Sequence, residues 1–141
     1  MTVAPVPRIL LVDDVPADAE LVTQALQRSG VAATLLRVDT ESALIHAIEE
    51  FAPDVILTDH SLPRLNARDA LRIAAQHAPT TPVILVTGSL DDETAADYIK
   101  AGATEYVLKA RLARLAPAAL RAIDLRRARD QQMRAQEALQ H

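Results

Sequence analysis

Short aliphatic runs recur along the chain and alternate with longer stretches in which apolar residues return every three or four positions. Arg8–Val12 (RILLV) is too uniformly apolar to have one wet face, so it reads as a strand buried on both sides. Val55–Thr58 and Val83–Val86 (VILV) read the same way. Ala33–Val38 and Glu105–Leu108 are strands with more polar ends. Between them lie helical patterns. The first runs from Pro16 to about Ser29, with Leu21, Val22, Ala25 and Leu26 on one face and Gly30 placed to cap its end. The second spans Glu41–Phe51, where Ala43, Leu44, Ala47, Ile48 and Phe51 keep helical spacing up to the stop at Pro53. Arg68–Gln76 is a weaker third, closed by Pro79 and Pro82. Ser89 with Asp92 forms a capping box for a fourth at about Asp91–Ala101, stopped by Gly102. A final helix begins near Leu112.

Five strands alternating with five helices predict an α/β fold, a doubly wound parallel sheet with helices on both faces. Five strands suit the flavodoxin-like order 2-1-3-4-5, and the three most apolar strands, the first, third and fourth, then take the central places. In such sheets ligands bind outside the carboxyl ends of the strands, beside the point where strand order reverses.

Composition narrows the chemistry. At 141 residues one domain is expected, and with aromatics at 2% its core must be built from Val, Ile, Leu and Ala. The absence of cysteine excludes disulfides, thiol catalysis and Cys-ligated zinc. MTVAPVPR lacks the features of a signal peptide, and no apolar run approaches the roughly 20 residues of a membrane span. A cytoplasmic protein without a membrane partner is therefore expected. The net charge of −4 gives no overall attraction to nucleic acid.

Polar residues follow the apolar runs at equivalent places: Asp13 and Asp14 after the first strand, Asp59 after the third, Thr87 after the fourth, Lys109 after the fifth. The fold would gather them at one edge. Three carboxylates together repel each other and call for a cation, and an all-oxygen donor set suits a hard ion such as Mg²⁺. A hydroxyl and an ammonium nearby suit a phosphoryl group. The chemistry implied is transfer of a phosphoryl group to a carboxylate.

The segments LLVDD, ILTDHSLP, VILVTGS and AGATEYVLK, in this order and spacing, resemble the receiver domain of two-component response regulators, over about Arg8 to Ile123. The resemblance implies that Asp59 is the phosphoacceptor. It makes Asp14 a direct Mg²⁺ ligand, Asp13 a ligand through water, and the backbone carbonyl of Ser61 a further ligand. Thr87 and Lys109 would bind the phosphoryl oxygens. Tyr106 would be the switch aromatic that turns inward when Thr87 moves toward the phosphate. Partners would be a histidine kinase or phosphotransfer protein. The only catalysis expected is self-phosphorylation and self-dephosphorylation of Asp59. Three positions depart from the family pattern: Ala110 stands where proline usually follows the lysine, Asn66-Ala67 replaces the usual Asp-Gly, and His60 directly follows Asp59. Ser61 and Ser89 sit where dephosphorylation rate is tuned. Two other readings are an interaction module that never takes phosphate and a phosphatase with an aspartyl nucleophile. Such phosphatases usually carry a second aspartate two residues on, where this chain has Ser61. His46, His77 and His141 show no ligand spacing and read as surface residues.

The last helix, from Leu112 to about Gln140, would be roughly 43 Å long, against about 30 Å for the domain. Leu112, Leu115, Ala119, Ala122 and Ile123 would pack on the sheet. This divides the chain into a receiver over 1–125 and a helical extension over 126–141. From Leu125 into the extension, Leu125, Ala128, Gln132, Ala135 and Leu139 follow 3-4 spacing over barely two heptads. Its two readings are a dimerising or signalling helix and a solvated helix end. Output would pass through the fourth helix, fifth strand and fifth helix, or through a homodimer along this extension.

Overall fold

The computed structural model describes residues 6–59, 65–88 and 92–139. Its elements are β1 (Arg8–Val12), α1 (Pro16–Arg28), β2 (Thr34–Val38), α2 (Glu41–Phe51), β3 (Val55–Asp59), α3 (Ala67–His77), β4 (Val83–Thr87), α4 (Asp92–Lys100), β5 (Glu105–Leu108) and α5 (Leu115–Leu139). The strands form one parallel sheet in the order β2-β1-β3-β4-β5, as the pattern predicts.

Strand position follows composition. Every residue of β3 and β4 is buried, and β1 is buried after Arg8, whereas the edge strand β2 buries only Val38. Alternation along the strands splits the core in two. Leu10, Val12, Ile56, Val83 and Leu85 pack with Leu44 and Ile48 of α2, Leu71 and Ile73 of α3, and Tyr98 of α4. Ile9, Leu11, Val55, Leu57, Ile84 and Val86 pack with Val22 and Leu26 of α1 and with Leu115, Ala119 and Ile123 of α5. Four alanines of α5, Ala116, Ala118, Ala119 and Ala122, are buried. Side chains this small let a helix lie close to the sheet without aromatic filler.

Local chemistry explains the helix ends. Pro16 opens α1, and Gly30, with φ 77°, follows its C-cap. Thr40 caps α2, its side chain accepting a hydrogen bond from the Ala43 N–H at 3.1 Å. The left-handed C-cap of α2 falls on Ala52 (φ 51°), one residue before Pro53. Asn66 caps α3, accepting from the Asp69 N–H at 2.8 Å, and Ala67 beside it is fully buried. The Asn66-Ala67 departure is thus a competent helix start.

One boundary differs from expectation. Lys109–Arg114 forms a 3₁₀ segment with a kink at Arg111, and the α-helix proper begins at Leu115 rather than Leu112. Pro117 accounts for this. It has no N–H to donate and fits a helix only within the first turn, so the helix must start just before it. Every described peptide bond is trans, Lys109–Ala110 included.

At 25 residues α5 is about 37 Å long. It is tied to the end of the sheet opposite the strand carboxyl ends. Arg126 Nη1 donates to the Pro53 carbonyl at 2.9 Å, and Arg127 pairs with Asp54 at 3.5 Å. Asp54 also accepts from the Arg8 N–H at 2.8 Å, and Arg8 Nε donates to the Ala52 carbonyl at 3.0 Å. These contacts fix the direction in which the helix leaves the sheet. From Gln131 to Leu139 every residue is exposed, and so are Leu125 and Ala128 of the 3-4 stripe. No described helix is long and apolar enough to cross a membrane.

Candidate functional site

Parallel pairing aligns the strand ends. Val12 lies beside Thr58 in the β1–β3 register, and Thr87 beside Leu108 in the β4–β5 register. Side-chain alternation then decides what meets. Asp13, Asp59 and Lys109 each stand two residues after a side chain of the core facing α1 and α5, namely Leu11, Leu57 and Val107. All three therefore fall on the same face. Thr87, two residues after Leu85, ends β4 on the other parity and is almost fully buried. Asp14 follows Val12 in parity and is half-buried.

The centre of the site is the Lys109 ammonium. It donates to Asp59 Oδ2 at 2.9 Å and to Asp18 Oδ2 at 2.8 Å. Asp13, Asp18 and Asp59 each offer a carboxylate oxygen within 4.8 Å of the others. Asp13 Oδ1 accepts the Val15 N–H at 2.9 Å, and its carbonyl accepts from Arg37 Nη1 at 3.1 Å. The Val15 N–H bond ties Asp13 to the residue that precedes α1.

Electrostatics follow from this crowding. Burial of Asp13 pushes its carboxyl above the usual carboxylate value of 3.8, and the charges of Asp59 and Asp18 push the same way. The Val15 N–H and Lys109 oppose the rise without cancelling it. Burial alone would depress Lys109, yet the hydrogen bonds and charges of Asp18 and Asp59 hold it above 10.5. An acid with a raised folded pKa binds its proton more tightly folded than unfolded. Asp13 therefore costs stability at neutral pH, and that cost disappears as pH falls through its folded pKa toward 3.8. Asp13→Asn, which keeps an oxygen for the Val15 N–H, is expected to be more stable than the parent at pH 7. The difference should close below pH 3.8, as read by urea unfolding across that range. A parent that equals the variant at pH 7 would contradict this.

Of the residues expected in the site, Asp13, Asp59 and Lys109 come together directly. Asp14 is not among the carboxylates that share the 4.8 Å cluster. Tyr106 on β5 is 40% exposed. Ser61, His60 and Ser89 lie outside the described residues, as does the Ser89–Asp92 box. Asp18 was not anticipated. In the first turn of α1 a carboxylate has the ordinary task of complementing the helix dipole. What it lacked in the sequence was any mark of reach. Helical side chains tilt toward the helix N-terminus, which here faces the strand ends, so Asp18 is directed at Lys109.

As donor chemistry, three carboxylates with all-oxygen ligation and one ammonium fit a hard divalent cation beside a phosphoryl group.

Relatives of the chain are found among bacterial regulatory proteins. The regulatory protein AtoC of Escherichia coli K12 is 31% identical over 102 residues, 72% of this chain and 22% of that protein. The DNA-binding response regulator MtrA of Mycolicibacterium smegmatis is 32% identical over 102 residues, 72% of this chain and 43% of that protein. The chain thus spans less than half the length of these relatives. Among solved structures, the signal receiver domain of an HD domain-containing protein from Pseudomonas fluorescens Pf-5 superposes with a TM-score of 0.80 at 25% identity, covering 93% of this chain and 96% of that one. The signal receiver domain of a LuxO repressor protein from Vibrio parahaemolyticus gives 0.78 at 27% identity, covering 88% and 95%. Residues 9–120 match the family described as the response regulator receiver domain, and the chain belongs to that family.

Proposed function

We propose that this receiver accepts a phosphoryl group on Asp59 in a Mg²⁺-dependent reaction and thereby switches an output surface. The observation that carries the reading is the Lys109 ammonium 2.9 Å from Asp59 Oδ2, at the carboxyl end of a central strand. Residues 1–125 form the receiver and 126–141 its helical extension. The donor is a histidine kinase or phosphotransfer protein, and acetyl phosphate is its small substitute. An Asp59 carboxylate oxygen attacks phosphorus. The phosphorus–nitrogen bond of phosphohistidine breaks and the imidazole keeps the electron pair, or the phosphorus–oxygen bond of acetyl phosphate breaks and acetate leaves. In the reverse task water attacks phosphorus, Asp59 recovers its carboxylate and inorganic phosphate departs. Asp13, Asp14, Asp59 and the Ser61 carbonyl would hold Mg²⁺, which supplies charge neutralisation at the transferred oxygens. Lys109 neutralises a further oxygen, and the Thr87 hydroxyl donates to another. Movement of Thr87 draws the part-exposed Tyr106 ring inward, and output passes through α4, β5 and α5 or through a homodimer along the extension. The setting is cytoplasmic.

The test is incubation with acetyl phosphate and Mg²⁺, followed by intact mass. One acid-labile phosphoryl group is expected, mapped to the peptide holding Asp59 and absent when EDTA is added. No adduct, together with silence toward beryllofluoride, would make the chain a phosphate-independent interaction module. Steady turnover of a phosphomonoester, abolished by Asp59→Asn, would make it a phosphatase.

A further inference from the structure

We infer that Asp18 is a positioning residue for this reaction, the anchor that keeps the Lys109 ammonium over Asp59. The inference rests on Asp59 being the phosphoacceptor. Lysine carries its charge on a flexible four-carbon stem with three donors, so its ammonium sits where its acceptors hold it. Here two carboxylates hold it, Asp59 at 2.9 Å and Asp18 at 2.8 Å. Their chemistry differs once the reaction begins. When an Asp59 oxygen bonds to phosphorus, Asp59 stops being a free carboxylate and its grip on Lys109 changes in kind. Asp18 takes no part in the bond and remains a carboxylate throughout.

The placement of Asp18 serves this role. Lys109 follows β5 and begins the kinked 3₁₀ segment, so its backbone is not fixed by further strand pairing. Asp18 belongs to α1, a 13-residue helix packed against the sheet through Ala19, Val22 and Leu26. Ala19, adjacent to Asp18, is buried, so this turn of α1 is seated on the sheet. The ion pair spans 91 residues of sequence and ties the lysine that follows β5 to a helix packed on the sheet. A lysine held in this way is already placed for the phosphoryl oxygens before the donor arrives.

The experiment measures the rate of phosphoryl uptake from acetyl phosphate at saturating Mg²⁺ for the parent and for Asp18→Ala, Asp18→Asn and Asp18→Glu. Thermal melts of each check the fold. Misplacement of a catalytic cation by a fraction of its contact distance costs about ten-fold or more. Asp18→Ala and Asp18→Asn are therefore expected to lose about ten-fold in rate, and Asp18→Glu to recover most of it. Parent-like rates in the Ala and Asn variants would overturn the inference. So would a loss in all three, which would mean a packing role, or an Ala variant that differs from the parent only in the Mg²⁺ concentration needed to reach the parent's saturated rate, which would make Asp18 a metal ligand only. Failure of the parent itself to take up phosphate would instead remove the reading of Asp59.

Discussion

Lys109→Ala is expected to destabilise the fold by about 2 kcal/mol at pH 7, to recover most of that on addition of Mg²⁺, and to take up phosphate far more slowly than the parent. The parent site holds three carboxylates within 4.8 Å of one another with one ammonium among them. Removing one partner from a buried charge network costs roughly 3–5 kcal/mol because it strands the others. The Lys109 side chain is 26% exposed, and water reaches the cluster, which argues for the lower figure. The pH dependence has a definite sign. Lys109 is held above 10.5, so its contribution is fully present below 10.5 and is lost as pH rises through the higher folded value. The variant should lack that alkaline loss. At the acidic end it should regain stability as Asp13, already raised by burial, takes up a proton. Urea unfolding at several pH values, with and without Mg²⁺, reads all of this. A variant as stable as the parent at pH 7 without metal would mean that the ammonium does not offset the repulsion.

Leu57→Ala is expected to cost about 3–4 kcal/mol, and Leu36→Ala under about 1 kcal/mol. Leu57 is fully buried on β3, between β1 and β4. Truncation there leaves a void that neighbours on two strands and on the α1 and α5 layer cannot fill without moving. Leu36 sits on the edge strand β2 at 38% exposure, and its loss opens only onto water. Since domains of this size are stable by only about 5–15 kcal/mol, the first change removes a large share. Leu57 also stands two residues before Asp59, so the same variant loosens the strand that presents the carboxylate. Chemical unfolding of both variants decides the matter; equal losses would contradict the assigned strand positions.

Much of this fold was readable from periodicity. Uninterrupted aliphatic runs at Arg8–Val12, Val55–Thr58 and Val83–Val86 exclude a wet face, and those strands do occupy the centre. The exposure of Leu36 and Tyr106 on the edge strands matches their more polar surroundings. Helix boundaries were legible where a breaker acts alone, as at Gly30. They shifted where two signals compete. Leu112 continues an apolar pattern, yet Pro117 forbids a regular helix more than a turn before it. In the site, Asp13, Asp59 and Lys109 were legible because each ends a strand, and strand ends in a parallel sheet converge. Asp18 was not, because its meeting with Lys109 depends on how α1 crosses the sheet, a long-range fact absent from local pattern. The ties from Arg126 and Arg127 to the base of β3 were hidden for the same reason: they sit in a charged run that reads as solvated.

The poverty in aromatics has an optical consequence. With no tryptophan and two tyrosines, emission excited in the tyrosine absorption band comes from Tyr98 and Tyr106. The two report from different surroundings. Tyr98 is buried on α4, with the Arg68 guanidinium 5.3 Å from its ring centre. Tyr106 is part-exposed on β5, the strand that follows α4. Any event that turns the Tyr106 ring inward is expected to change its quenching by water, against the emission of a ring that is already shielded. The chain therefore carries two tyrosine reporters in unlike surroundings, one part-exposed on β5 and one shielded on α4.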